Sequence, residues 1–271
     1  MPLIPIPTQV KLKTSAKLKN DRQRKGRLVK SAKSPEVRYR NALLSITNDL
    51  KQATNATLIP LLKRLEPEFV ADSYAERLEA MFEALRKRFE NADAHAKVIA
   101  KSFTGDVEEK NRRRFNESMK SVVGVNLSTI VQNEGLQDIL VGATRQNVAL
   151  IKSIPEEYFK RLEVLVFNAT TQGNTVGSMI SEIINIYGVT ERRAKLIARD
   201  QTSKLNGVIN KQRQTNLGIT EYIWRTAGDD RVRDSHVENN GKTFKWSDPP
   251  STGHPGSEIS CRCVAQGIIN I

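Results

Sequence analysis

The sequence predicts a mainly α protein: a helical body, a small C-terminal α+β module and an extended basic N-terminal arm. Three observations carry that class. Apolar residues recur at three- and four-residue spacing through residues 36–218. Residues 219–271 instead alternate short aromatic and β-branched runs with Gly and Pro clusters. Residues 1–35 hold Pro2, Pro5 and Pro7 and then lysines among small polar residues, with too little apolar surface to offset the cost of ordering. The expected domains are therefore an extended or disordered arm at 1–35, a helical body at 36–218 and a small module at 219–271.

Within the body, Leu43, Leu50, Thr54, Leu58, Leu61 and Leu65 form the first stripe, with a kink expected at Pro60. Pro67 marks the next start. Tyr74, Leu78, Met81, Phe82, Leu85 and Phe89 then line one face of a long helix, continued by Ile99 and Phe103 and broken at Gly105-Asp106. Phe115, Met119, Val122 and Val123 make a further helix ending near Gly124. Leu136 to Ile151 form another. Pro155 is suited to open its successor, which carries Tyr158, Phe159, Leu162, Leu165 and Val166 and stops at Gly173. Val176 to Tyr187 follow, with Gly188 as a left-handed cap. Thr190 then N-caps a long helix running to Gly218. Tyr222–Trp224, Lys242–Trp246 and Arg262–Ile269 read as strands. Asp229 or Asp230 is expected to cap a short helix bearing His236, and Pro249 to Gly256 a loop.

Composition bounds the rest. Hydrophobic residues make up 38% and charged residues 27%, as in a globular protein. No run approaches the roughly 18 apolar residues of a membrane span, so no membrane anchor is expected, and the N-terminus lacks the apolar core of a signal peptide. The two cysteines, Cys261 and Cys263, stand too close for an unstrained bridge, which excludes a disulfide scaffold and fits a reducing interior. The net charge of +13 is uneven: residues 1–40 hold twelve Lys or Arg against two acids. Lys11, Lys13, Lys17, Lys19, Arg22, Arg24, Lys25, Arg27, Lys30 and Lys33 are thus candidate contacts to DNA phosphates, through counterion release. The alternative is a solvated tail without a fixed partner.

Three ordered stretches carry a family resemblance. They are Asn147-Val-Ala-Leu-Ile-Lys-Ser-Ile-Pro155 and Arg193-Ala-Lys-Leu-Ile-Ala-Arg-Asp-Gln-Thr202. The third is a C-terminal set of Trp224, Asp230-Arg-Val-Arg-Asp-Ser-His236, Gly241-Lys242, His254-Pro-Gly256 and Cys261-Arg-Cys263. Over about residues 140–271 the chain resembles the phage Mu F-like head-morphogenesis family. The resemblance implies a minor capsid protein, not an enzyme, in the capsid interior near the portal vertex of the virion, and in the host cytoplasm during assembly. Its implied partners are portal protein, major capsid or scaffolding protein and phage double-stranded DNA, and its implied roles head assembly, genome packaging or delivery. Some relatives carry a toxin domain after this region; with eight residues following Cys263, none is expected here.

Four of the five His and Cys residues fall between positions 236 and 263. Imidazole and thiolate are the preferred donors for tetrahedral zinc, so His236, His254, Cys261 and Cys263 form a candidate structural zinc set. A small module with few large apolar residues gains from such a staple. The C-x-C spacing is tighter than usual, and the alternative is histidines bonded to backbone beside two small buried thiols. Arg231, Arg233 and Arg262 either meet acidic groups of a partner or pair internally with Asp229, Asp230 and Asp234, the internal pairing being favoured.

Two rival functions follow from local patterns. Residues 175–200 read as a helix-turn-helix of a DNA-binding protein, with Gly188-Val189 as the turn and Arg192, Arg193, Lys195 and Arg199 on the second helix. His236-Val-Glu238 matches the H-x-E of zinc-dependent nucleic-acid deaminases, although their P-C-x-x-C partner is absent. A histidine-based metallonuclease is a comparable reading of the same residues, without an evident carboxylate or Asn set around the histidines.

Overall fold

The structure, a computed structural model, describes residues 23–65, 73–90, 92–124 and 135–270. Its elements in chain order are β1 (Gln23–Lys25), α1 (Lys33–Ala56), α2 (Leu58–Leu65), α3 (Ser73–Glu90), α4 (Ala92–Val123), α5 (Gln137–Thr171), α6 (Val176–Asn216), β2 (Glu221–Arg225), α7 (Asp234–Asn239), β3 (Thr243–Lys245) and β4 (Val264–Asn270). The fold is mainly α with one small antiparallel sheet, in strand order β1-β4-β2-β3. None of the described helices is long and apolar enough to cross a membrane.

The chain forms two compact units: one break, between Glu36 and Val37, falls beside the expected boundary at 36, and none falls at 218. One comprises Val37–Ser102 with Thr144–Ala198. The other joins the described residues up to Glu36, Phe103–Ala143 and Arg199 onward, so α4, α5 and α6 each contribute to both. A long helix can serve two cores in succession, which a division at loops does not anticipate.

In the first unit, i, i+4 stripes meet: Tyr39, Leu43 and Leu50 on α1, Leu78, Phe82 and Leu85 on α3, and Ile151, Ile154, Tyr158, Leu162 and Val166 on α5 are all buried. Polar groups inside it are partnered. Tyr39 Oη donates to Asn147 Oδ1 at 2.9 Å, and Thr54 Oγ1 lies 2.9 Å from Tyr158 Oη. Burial raises the Tyr158 phenol far above its ordinary range.

Three expected helix breaks are absent. α5 runs through Pro155, although proline removes one hydrogen bond there. Ile151, Ile154 and Tyr158 are buried on both sides of it, and Arg193 Nη1 and Nη2 donate to the nearby Ser153 carbonyl and hydroxyl at 3.1 and 2.8 Å. α4 continues through Gly105, and α6 through Gly188. Thr190 is no N-cap, because its hydroxyl donates back to the Ile186 carbonyl at 2.9 Å inside the helix. The helix-turn-helix reading of 175–200 is thereby overturned, since a single uninterrupted helix has no turn from which to present a recognition helix. The break near Pro60 falls instead at Thr57, between α1 and α2. Gly124, Gly173 and Gly218 do end helices, all with positive φ. Pro67 lies outside the described residues.

The second unit carries the sheet. Val29, Phe115, Met119, Val122, Leu217, Ile219 and Ile269 form one buried cluster. Beside it runs a buried polar ladder. Asn111 Nδ2 donates to Asn206 Oδ1 and Asn210 Oδ1 at 2.8 and 2.9 Å, both of those amides donate to the Val29 carbonyl, and Arg213, fully buried, pairs with Glu108 at 2.7 Å. The basic N-terminal stretch therefore joins the fold from Gln23 and does not remain an arm as far as residue 35. β1 pairs with β4, and Ser118 and Arg114 donate to the Arg27 and Lys30 carbonyls. An unpaired edge of β4 supplies partners that the apolar-poor sequence could not reveal.

Candidate metal centre

Trp224, on the inner strand β2, anchors the apolar floor of the module with Tyr222, Trp246, Cys261, Cys263 and Ala265. His236, on α7, packs its ring edge-on to Trp224 at 5.2 Å and is buried. Its Nδ1 lies 3.6 Å from Cys261 Sγ and 3.5 Å from Cys263 Sγ. All three donor atoms fall within 4.8 Å of one another. On the far side of the ring, Nε2 sits 3.1 Å from Glu258 Oε2, off the line of a good hydrogen bond but within ion-pair reach.

The C-x-C segment is held in an unusual conformation. Ser260 is the one described non-glycine residue with positive φ, at 58°, a strain that persists only where surroundings fix it. The buried Asp200 accepts the Ser260 N–H at 2.8 Å while pairing with Lys204 at 2.9 Å, and Arg199 donates to the Ser260 hydroxyl. The loop before it presses on α6: a Cβ on Gly207 would stand 2.9 Å from the Pro255 carbonyl oxygen. Gly256, at φ 91°, donates its N–H to Cys261 Sγ at 3.3 Å. The hydrogen bond from the Cys263 thiol, helped by the Gly256 N–H, holds the Cys261 pKa below the ordinary thiol range despite burial. Cys263, giving that hydrogen bond and buried itself, is pushed up, so the pair favours one thiolate.

Residues 160–266 match the family described as phage Mu protein F like protein. Residues 160–266 thus carry a phage Mu F-like region. The matched stretch falls inside the region of resemblance and contains every residue of the His/Cys cluster. An uncharacterized protein of Haemophilus influenzae is 33% identical over 261 residues, 91% of this chain. The chain spans 56% of that relative's length. No solved structure matches.

The structure also shows what the Mu F-like motifs hold together. Asn147 and Ser153 of the first accept from Tyr39 and Arg193, and Asp200 of the second restrains Ser260 next to the cysteines. Of the four candidate ligands, His236, Cys261 and Cys263 converge; His254 does not. Its Nε2 lies 3.2 Å from Lys211 Nζ and its Nδ1 3.0 Å from Tyr222 Oη. A charged lysine only donates, so Nε2 accepts and Nδ1 carries the proton. Burial first, then the Lys211 charge, lowers the His254 pKa.

Asp229 and Asp230 do not cap α7: its N-cap is Arg233, without a side-chain bond. Asp229 instead pairs with Arg262, one of the internal pairings favoured from sequence, while Arg233 pairs with Glu258 at 3.2 Å, a partner outside that expectation. Glu238, the glutamate of the H-x-E pattern, is an exposed residue of α7, whereas His236 is buried. His95 is an exposed residue of α4.

The proposed DNA contacts divide. Lys11, Lys13, Lys17, Lys19 and Arg22 lie outside the described residues. Arg24, Lys25, Arg27, Lys30 and Lys33 are exposed, with Arg24 donating to the Val122 carbonyl at 3.0 Å. Lys30 and Lys33 line a cavity of about 640 Å³ with Arg199, Arg231, Arg233 and Arg262. Glu36 is the one carboxylate on that wall, and Asp229 and Glu258 offset two of the arginines. Positive charge remains in excess. Neither this basic wall nor the placing of Glu258 was legible in the sequence, because contacts between distant segments create both.

Proposed function

We propose that this Mu F-like chain is a phage head-morphogenesis protein, a structural component of the virion that acts in the host cytoplasm during assembly. The observation that carries the reading is the family match over 160–266, which takes in the later part of α5, all of α6 and most of the sheet module. In this account the folded body docks on portal, capsid or scaffolding protein in the capsid interior near the portal vertex. It aids head assembly, genome packaging or delivery. The chain does no bond-breaking chemistry of its own.

DNA is the further partner. The excess positive charge around the 640 Å³ cavity supports contact with duplex phosphates, because each cation placed on a phosphate releases a condensed counterion. Such contacts position the protein without reading sequence.

Affinity-tagged chain recovered from an infected lysate tests the docking: portal or capsid protein should co-purify stoichiometrically, and recovery of the chain alone would reject it. Salt dependence tests the DNA contact. Lys30→Ala with Arg231→Ala should weaken binding to any duplex alike and reduce the log–log salt slope by about two. An unchanged slope would remove the cavity from the DNA contact.

A further inference from the structure

We propose that His236 Nδ1, Cys261 Sγ and Cys263 Sγ bind one zinc-class divalent ion, with Glu258 orienting the imidazole and a water as fourth donor. The site goes beyond the head-protein reading and does not depend on it.

Geometry carries the assignment. A tetrahedral zinc with bonds of about 2.3 Å to sulfur and about 2.0–2.1 Å to nitrogen places those two donors about 3.5–3.6 Å apart. The separations here are 3.6 Å and 3.5 Å. A bare imidazole nitrogen has one lone pair and accepts one thiol proton in line. Two sulfurs at matched distance point instead to a shared centre.

The surroundings suit that ion. Glu258 Oε2 stands 3.1 Å from Nε2, so a small reorientation of the carboxylate would let it take the distal N–H and leave Nδ1 free for metal. Two thiolates and a neutral imidazole cancel the charge of a divalent ion, so burial of the set costs little electrostatically once it is loaded. A small cavity of about 20 Å³, bounded by all three donors together with Arg231, Arg233 and Ser260, is large enough for one water. His254 takes no part, because Lys211 and Tyr222 occupy its two nitrogens. The soft donor set selects zinc or cobalt over magnesium or calcium.

The test uses the full chain, purified without chelator for zinc analysis and then reloaded with cobalt(II) alone. The expected result is one equivalent of metal and a thiolate-to-cobalt charge-transfer band in the near ultraviolet. His254→Gln should keep both. Cys261→Ser should lose most of the band, and Glu258→Gln should lower metal affinity about 10–100-fold while keeping it. Wild-type protein that takes up no zinc and gives no such band with excess cobalt would overturn the proposal. So would loss of the band in a folded His254→Gln protein. Because wild type and His254→Gln decide the matter, a cysteine variant that fails to fold leaves it testable.

Discussion

Gly207 and Gly105 both lie inside long helices, yet the structure assigns opposite consequences to the same substitution. Alanine in place of a mid-helix glycine gains about 1 kcal/mol of helix propensity. Gly105 is exposed, and a methyl there would meet nothing within 4 Å, so Gly105→Ala should keep that gain. A methyl at Gly207 would lie 2.9 Å from the Pro255 carbonyl oxygen, where ordinary contact begins near 3.4 Å. That oxygen belongs to backbone, in a loop that also brings Gly256 against the Ser203 carbonyl, so it cannot swing aside as a flexible side chain would. Overpacking of this kind costs about 1–3 kcal/mol. The net for Gly207→Ala therefore runs from about zero to about 2 kcal/mol of destabilisation. Thermal unfolding followed by circular dichroism reads the contrast, at about 2–4 °C for each kcal/mol in a chain of this size. Gly105→Ala should raise the Tm and Gly207→Ala should leave it flat or lower it. Equal increases in both variants would refute the close approach of the 254–256 loop to α6, and with it the placing of the C-x-C segment.

Two further perturbations test the second unit. The His254 pKa is lowered in the folded state, so its neutral form contributes stability that is present above the ordinary imidazole value of about 6.5 and is lost as pH falls through the lower folded value. His254→Gln should flatten the decline in Tm between about pH 7 and pH 5, and an unaltered decline would show that another group drives it. Glu108→Ala leaves the buried Arg213 guanidinium without its carboxylate, and because Glu108 is partly exposed the loss should fall at about 2–3 kcal/mol, below that of a fully buried pair. Denaturant titration measures it, and a change under about 0.5 kcal/mol would mean that the remaining partners of Arg213, Asn111 among them, suffice.

Much of this architecture was written locally. The β2 and β4 strands, the short helix under His236 and the glycine stops at 124, 173 and 218 follow from period and turn chemistry. Pro155, Gly105 and Gly188 misled for one shared reason: local breakers cost only a few kcal/mol, and a buried stripe continuing on both sides, such as Ile151 to Tyr158, outweighs them. His236, Cys261 and Cys263 were legible as metal-binding types close in sequence. His254 shared their chemistry and their neighbourhood, and only its contacts with Lys211 and Tyr222 separate it from them. Glu258 carried no signal beyond its place three residues before Cys261. The docking of Gln23–Ala32 was hidden because its partners, β4 and α4, lie about ninety or more residues away in sequence.

Quantitative mass spectrometry of gradient-purified phage heads addresses the central reading most directly. A virion component should be present at a fixed, low number of copies per portal ring, and should persist after a high-salt wash that strips loosely bound DNA-binding proteins. Heads that assemble and package normally while holding none of this chain would contradict the account.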